Sequence, residues 1–484
     1  MLMQKQNKLV VYNTLSRSEE EFIPLNAGRV NMFVCGQTVY DDAHLGHAKN
    51  YINFATIARW LRKLGYVVKY AQNITDVDDK IIARAKERGI EARELASFYE
   101  KRFMDDMEKL GIKKDVDIYP RSHDYIETIR EQIQLLLDKG YAYLIDNDVY
   151  YDVSKFKDYT KLSGMKIEEL NKHRIESREG KINTYDFSLW KAAKEGEPNW
   201  EIALKYKGEE RKVAGRPGWH IEDTAMTYAI FGPQYDLHGG ANELIFPHHT
   251  NEIAQAEAAF GKVPFVKYWL HSGTLNMKGV KMSKSLRNFV KIGEFLERYN
   301  VEVLKLLVFS THYRKEIEYD DALAKEAEKR VNYIYAAFGI FYNMGEETQT
   351  EGDGEINSAI DVLAEEFTTA MNSDFNTPLA LTRLIQTVNL LRDFAGKYET
   401  VGKDSKKRAV TTVLEFANLL GLLESDRYKE PISDEVKALV ARREAFRKER
   451  KFEESDAIRK ELKEKHRIII EDTEYGVVWY KERS

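Results

Sequence analysis

With one cysteine in 484 residues, Cys35, the chain cannot form an internal disulfide. That suits a reducing compartment and leaves the side chain as core, ligand or nucleophile. It has no run of about 20 apolar residues, so no membrane-spanning helix is expected, and its opening stretch, MLMQKQNKLVVYNTLSR, lacks the apolar core of a signal peptide. An excess of charge of one sign is missing too. At a net −5 there is no global basic field, so any nucleic acid must be met by local basic surface. Internal repeats and long low-complexity tracts are absent. What is there is 43% hydrophobic and 32% charged residues. A chain of this length has room for a sizeable core and for several domains of roughly 100–200 residues each. The expectation is a soluble, cytoplasmic protein with no membrane partner.

Along the chain, Val30–Val34 reads as a buried strand running into the turn-rich CGQTVYDDAHLGH. A helix is expected from about Ala48 to Leu64, where Phe54, Ile57, Ala58, Leu61 and Leu64 share one face and Gly65 stops the helix. A second strand, Tyr66–Tyr70, leads to NITDVDDK, and strand, helix, strand is the opening of a parallel α/β sheet. From about 111 to 211 the text becomes mixed. It contains a helix near Tyr125–Lys139 and a hairpin of YAYLI and VYYDV around Asp146-Asn147-Asp148. After about Glu316 the chain turns helical. Thr377-Pro378 opens a helix whose Leu381, Leu384, Ile385, Val388 and Leu391 form one apolar stripe, read as bundle core. GEETQTEGDGE (345–355) reads as an exposed connection. The end reads as one charged helix, ARREAFRKERKFEESDAIRKELKEKH, followed by the short strands RIII and GVVWYK.

Two short motifs point to phosphate chemistry. His44-Leu45-Gly46-His47 stands between a strand and a helix N-terminus, where unpaired N–H groups and the positive dipole end attract phosphate. Its imidazoles add donors, and its glycine lets a base or ribose pack on bare backbone. Such a motif also arises by accident in turns. Lys281-Met282-Ser283-Lys284-Ser285 sits in a loop after VKYWLHSGTLNMKG. Two ammonium groups on flexible stems suit the charge that builds on a leaving pyrophosphate, although a basic loop can equally be a solvated one. The full string is improbable by chance, and it follows the first motif in the right order.

A third constellation is Cys35, at the end of the first strand, with His248 and Glu252, four apart in FPHHTNEIAQAEA. On a helix that spacing puts both side chains on one face, and a thiolate, an imidazole and a carboxylate form a plausible zinc set. On spacing alone the plainer reading is preferred: a helix-face His–Glu pair and a buried cysteine.

HLGH and KMSKS together resemble the paired signatures of class I aminoacyl-tRNA synthetases. The chain is similar to the cysteinyl-tRNA synthetases in particular from end to end. FVCGQTVYDDAHLGHAKNY, NITDVDDKII, DFSLWK, GRPGWHIE, HGGANELIFPHHTNEIAQAE, KMSKS, DFNTPLAL and FEESDAIRKEL…IIIEDTEYGVVW all match family landmarks in order. The resemblance implies an α/β fold: a Rossmann-type parallel sheet split by an inserted domain, then a helical bundle and a small C-terminal α/β module. The implied division is a first catalytic half (1–110), an inserted connective domain (111–211), a second catalytic half (212–270) and a KMSKS-bearing segment (271–318). A bundle gripping the tRNA stem (319–425) and an anticodon module (426–484) complete it.

What the resemblance implies for function is ATP-dependent activation of L-cysteine to its adenylate, with Mg2+ on the ATP, then transfer to the 3′ end of tRNA(Cys) by a monomer. Catalysis would fall to His44, His47, Lys281 and Lys284. ATP contacts would come from His44, Gly46, His47, Gly239, Gly240, Glu243 and Lys284. Cys35, Thr75, Trp219 and His248 would line the substrate, and one zinc ion would bind the substrate thiol directly. Where the family usually has a second cysteine, after GWHIE, this chain has Asp223, so the implied zinc ligands are Cys35, Asp223, His248 and Glu252. Aspartate is a legitimate but harder ligand; the alternative is that Asp223 caps a helix beginning at TAMTY. Other departures are Gln37 for a proline, expected to loosen a turn, Lys49 for an arginine, Ala241 for a glycine and Glu243 for an aspartate at the ATP ribose.

At the end of the chain, basic residues interleave with glutamates, the pattern of a solvated helix. The resemblance carries anticodon reading over to Arg447, Phe452, Asp456 and Asp472. Three rival readings remain: a nucleotidylyltransferase with an HxGH site, a ligase joining cysteine to a small amine, and a non-enzymatic RNA-binding paralogue.

Overall fold

The computed structural model describes residues 8–166, 178–277, 289–431, 433–473 and 476–481, of which 471–473, 476–478 and 480–481 by their backbone only. Lys281 and Lys284 lie outside the described residues. The chain divides into two compact units, one of 8–295 with 313–318 and one of 296–312 with 319 onward.

The first unit begins with the antiparallel pair β1 (Val10–Asn13) and β2 (Ser18–Glu21). Its centre is β3 (Arg29–Thr38), α1 (Leu45–Lys63) and β4 (Val67–Thr75). The expected strands and helix are present, and both strands run further than their apolar text; β4 continues through the buried polar residues Gln72, Asn73 and Thr75. Next come α2 (Asp79–Arg88), α3 (Ala92–Lys109) and α4 (Ile126–Asp138). A five-stranded sheet follows, made of β5 (Ala142–Ile145), β6 (Asp148–Tyr151), β7 (Phe187–Ala192), β8 (Trp200–Tyr206) and β9 (Glu209–Pro217) in the order β5-β6-β7-β9-β8, antiparallel throughout. Then α5 (Ile221–Phe231), β10 (Tyr235–Ala241), α6 (Thr250–Phe260) and β11 (Val266–Ser272) return to the first sheet.

That first sheet has the order β11-β10-β3-β4, all parallel. The chain adds β4 on one side of β3 and β10 on the other. The order therefore reverses between β3 and β10, where a crevice opens beyond the strand C-terminal ends. Gly239 on β10 lets α1 lie directly on the sheet: a Cβ there would stand 2.3 Å from the Phe54 ring. The antiparallel sheet shares one core with its neighbours, since Trp190, Leu189 and Val213 cluster with Ile133 of α4, Ala225 of α5 and Ala254 of α6.

In the second unit α9 (Asp321–Tyr342), α10 (Asp353–Asn372), α11 (Thr377–Lys397) and α12 (Lys403–Leu420) form a bundle. (The shorter α7, Ile292–Leu296, and α8, Val301–Phe309, precede it.) Asn376 caps α11, proline follows at its start, and the whole expected stripe of α11 is buried. The expected single C-terminal helix is two, α13 (Asp434–Lys448) and α14 (Phe452–His466), because Arg450 adopts a left-handed φ of 60° and reverses the chain. That break lets Val436, Val440, Ile458 and Leu462 close a small core with Ile468 and Ile470 of the terminal hairpin. Among the described residues no helix is long and apolar enough to cross a membrane.

Candidate active site and metal centre

A cleft of about 420 Å³ opens at the reversal point, lined among others by Cys35, His44, Gly46, His47, Thr75, Trp219, Asp223, Glu243 and His248. Each reaches it for a local reason. Helix α1 starts at the cleft, and His44, in extended conformation, is its N-cap. His44 Nδ1 accepts from Gly46 N–H (3.1 Å), while His47 Nδ1 accepts from His44 N–H (3.3 Å), a reciprocal cap made of two imidazoles. Both Nδ1 atoms act as acceptors, so the proton of each neutral ring sits on Nε2. The rings stack with centroids 3.8 Å apart. The motif thus combines a helix terminus with two N–H donors, an arrangement suited to phosphate.

Cys35 is aimed by a register shift between β3 and β4 at Val34/Gln37, a bulge that turns the strand at its C-terminal end. Asp223 sits in the first turn of α5, two residues inside the helix, and makes no cap; its carboxylate turns inward instead. His248 stands in a wide turn just before α6, and Glu252 in the first turn of α6, so the two face one another without sharing a regular helix.

The four side chains converge, with one donor atom from each within 4.8 Å of the others. His248 Nε2 is 3.0 Å from both Asp223 Oδ2 and Glu252 Oε1, and Cys35 Sγ is 3.6 Å from Asp223 Oδ2. All four are buried. Burial, reinforced by Asp223 and Glu252, pushes the Cys35 thiol well above its ordinary value. Burial would depress His248, but the neighbouring carboxylates of Glu252 and Asp223 raise it to about 10. Glu252 is lifted to about 7 by burial, and neither of its oxygens finds a hydrogen-bond partner although His248 Nε2 stands close. Two buried carboxylates, a thiol and an imidazole that draws in a proton are what a divalent cation would stabilise, and the donor set fits one.

Binding such an ion displaces protons. At pH 7 both Cys35 and His248 lie below their raised pKa values and hold theirs, so acid favours the metal-free state. Zinc(II) affinity is therefore expected to fall by about one to two orders of magnitude per pH unit as pH drops from about 8 to about 6.5. Competition against a coloured chelator at the two pH values measures this. Affinity independent of pH would show that the ion does not displace protons from Cys35 and His248.

Sequence reading missed a second convergence that shares Cys35 and Glu252 with the first: His238 and His249 complete a set with the same 4.8 Å spacing. His249 Nε2 is 3.1 Å from Cys35 Sγ, and its Nδ1 is 2.8 Å from His271 Nε2, whose Nδ1 meets Thr14 Oγ1 at 2.8 Å. The second histidine of FPHH was the only signal. These two rings stand behind Cys35, away from the cleft lining, whereas Asp223 and His248 are on it. Gly239 and Gly240 are also off the lining. Gly239 receives α1, and a Cβ on Gly240 would stand 2.8 Å from the His249 ring. Lys80 is a further cleft residue without a sequence signal, lying over the Trp219 ring at 5.7 Å. Gln37 fastens its turn rather than loosening it, donating to Asp41 O (3.3 Å) and accepting from Tyr51 Oη (3.4 Å). Lys49, buried and brought to about 7 by that burial, donates to the carbonyls of Gly273 (2.6 Å) and Tyr313 (2.9 Å).

A model of the family described as "tRNA synthetases class I (C) catalytic domain" matches residues 21–329. The chain is 43% identical, over 97% of its length, to a cysteine–tRNA ligase of Thermococcus gammatolerans, of which it covers 98%. It belongs to the cysteinyl-tRNA synthetase family. The cysteine–tRNA ligase of Pyrococcus furiosus is 44% identical over 97% of this chain and 99% of that one. A DALR domain model matches 366–424, within α10 to α12 and the turn beyond. Solved structures share the fold at low identity. They include methionyl-tRNA synthetase of Mycobacterium tuberculosis with methionyl-adenylate (TM-score 0.56, 16% identity, 81% of this chain and 89% of that one). A LeuRS of Agrobacterium radiobacter in a ternary complex with tRNA gives a TM-score of 0.59 at 12% identity, over 86% of this chain and 88% of that one. The class I α/β fold of the synthetases is thus this chain's fold, and its match to these relatives spans the second unit as well as the first.

Proposed function

We propose that this protein is the cysteine–tRNA ligase of its cell. It activates L-cysteine with ATP, passes it to tRNA(Cys), and acts as a monomer in the cytoplasm. The observation that carries the reading is that Cys35, Asp223 and His248, which converge with Glu252, line the same cleft as the His44–His47 helix terminus.

Cys35, Asp223, His248 and Glu252 would hold a zinc ion, which supplies a soft centre that binds a thiolate in preference to a hydroxyl. Trp219, stacked on His248 with centroids 4.5 Å apart, walls the pocket for the cysteine side chain, and Thr75 borders it. A carboxylate oxygen of the amino acid attacks the α-phosphorus of ATP, the bond from that phosphorus to the oxygen bridging to the β-phosphate breaks, and pyrophosphate leaves; a magnesium ion carried in with the ATP would share its negative charge. The Nε2–H groups of His44 and His47, with the α1 terminus, hold the phosphates. Lys281 and Lys284 follow the charge onto pyrophosphate, and Glu243 takes the ribose hydroxyls. A terminal ribose hydroxyl of the tRNA then attacks the acyl carbon, and AMP departs. No protein nucleophile is required. Gly239 and Gly240 serve the nucleotide indirectly, through packing behind it.

The second unit is read as the tRNA grip. Phe452 opens α14 with an exposed ring, suited to stacking on an unpaired base, and Arg447 and Asp456 stand on the same helical pair. Asp472, in the terminal hairpin, would be the fourth anticodon residue on the resemblance alone.

ATP–pyrophosphate exchange tests the reading. Exchange with cysteine is expected, with loss on treatment with a strong chelator and return on adding zinc(II). Serine is expected to support it at least about a hundredfold less well. No exchange with cysteine in zinc-loaded protein would end the proposal.

A further inference from the structure

Asp223 makes a ligand problem that a thiolate would not. A carboxylate has two oxygens, and a bidentate one would fill the coordination position through which an incoming thiol must bind. One buried side chain addresses this. Asn73, on β4, is 3% exposed. Its Oδ1 accepts from Gly36 N–H at 2.6 Å. Its Nδ2 donates to Asp223 Oδ1 at 2.7 Å and lies 3.3 Å from Thr75 Oγ1.

The direction of these bonds is not arbitrary. A backbone N–H only donates, so Gly36 decides which end of the amide faces the bulge, and the NH2 end must then face Asp223. Gly36 itself is required there: a Cβ would stand 1.8 Å from the Asn73 carbonyl oxygen. The bulge that aims Cys35 therefore also orients Asn73. With Oδ1 engaged, Asp223 turns only Oδ2 toward His248 Nε2 (3.0 Å) and Cys35 Sγ (3.6 Å).

We infer that Asn73 is a positioning residue that holds Asp223 to a single metal-facing oxygen and so keeps the thiol-accepting position open in a chain whose metal set has a carboxylate at 223. This rests on the reading of Asp223 as a ligand. Asn73 is neutral, so it orients Asp223 without changing the charge of the site. Groups that orient a ligand from behind it typically change metal affinity by about 10–100-fold when removed.

A double-mutant cycle on the full-length chain tests this, with zinc(II) affinity read by competition against a coloured chelator and the melting temperature of each metal-free variant recorded. Asn73→Ala is expected to weaken affinity about tenfold or more and to raise KM for cysteine in exchange more than it lowers kcat. In an Asp223→Cys background the same change is expected to alter affinity by less than about threefold, because a thiolate has one donor atom and no second one to hold back. An equal loss in both backgrounds would reduce Asn73 to a structural residue and overturn the inference. So would an unchanged affinity in Asn73→Ala while Asp223→Ala loses zinc. If Asp223→Ala leaves affinity unchanged, the ligand reading beneath it fails instead.

Discussion

Cys35→Ala is expected to leave purified protein without stoichiometric zinc and to cut cysteine-dependent pyrophosphate exchange by about 10³-fold or more, because Cys35 carries the only thiol in the chain. His248 and the two carboxylates stay in place in the variant. Without Cys35, however, the set keeps only oxygen and nitrogen donors and loses the thiolate preferred by a borderline-soft ion. His248→Ala is expected to have an effect of the same order, since it removes an imidazole that faces both Asp223 and Glu252. Metal analysis of the purified variants and exchange measured with and without added zinc(II) check both. Wild-type exchange in Cys35→Ala would show that the cysteine substrate is selected without this metal centre.

At the other end of the cleft, His44→Asn is expected to separate two roles that one ring combines. His44 caps α1 through Nδ1, and its Nε2–H is the group read as the phosphate donor. Asparagine is among the best N-caps, so the variant should keep its melting temperature, whereas alanine loses about 1 kcal/mol with the cap. Neither replacement restores a donor at the Nε2 position. Exchange turnover is therefore expected to fall about 10²–10³-fold in both variants, the usual effect of removing one preorganised donor to developing charge. Thermal denaturation and exchange kinetics on the same samples check this. Near-normal turnover in His44→Asn would mean that His44 serves the helix alone.

Much of the architecture was legible because it is local. The stripe of α11 and the strand–helix–strand opening follow from periodicity. The capping role of His44 was not read, and the helix was expected only from about Ala48 although it begins at Leu45. The C-terminal helices were misread as one for the same reason: their composition is uniformly helical, and the break at Arg450 serves a core that forms only when Ile458 and Leu462 fold back onto Val436 and Val440. The metal set was legible as a site only through the family resemblance, since on spacing alone His248 and Glu252 equally fit a plain helix pair.

The residues alone were thus enough for the class of fold, a helix terminus suited to phosphate and three of the candidate donors, Cys35, His248 and Glu252, because turns and periodic faces are set by neighbours in the chain. Tertiary structure decided that Cys35, Asp223, His248 and Glu252 meet, that His238 and His249 stand behind them, and that Asn73 ties Asp223 to the bulge at Gly36. The physical reason is that these contacts join strands and helices far apart in the chain. Their distances depend on strand register, on one bulge and on the direction of single hydrogen bonds, none of which leaves a periodic trace in the order of the residues.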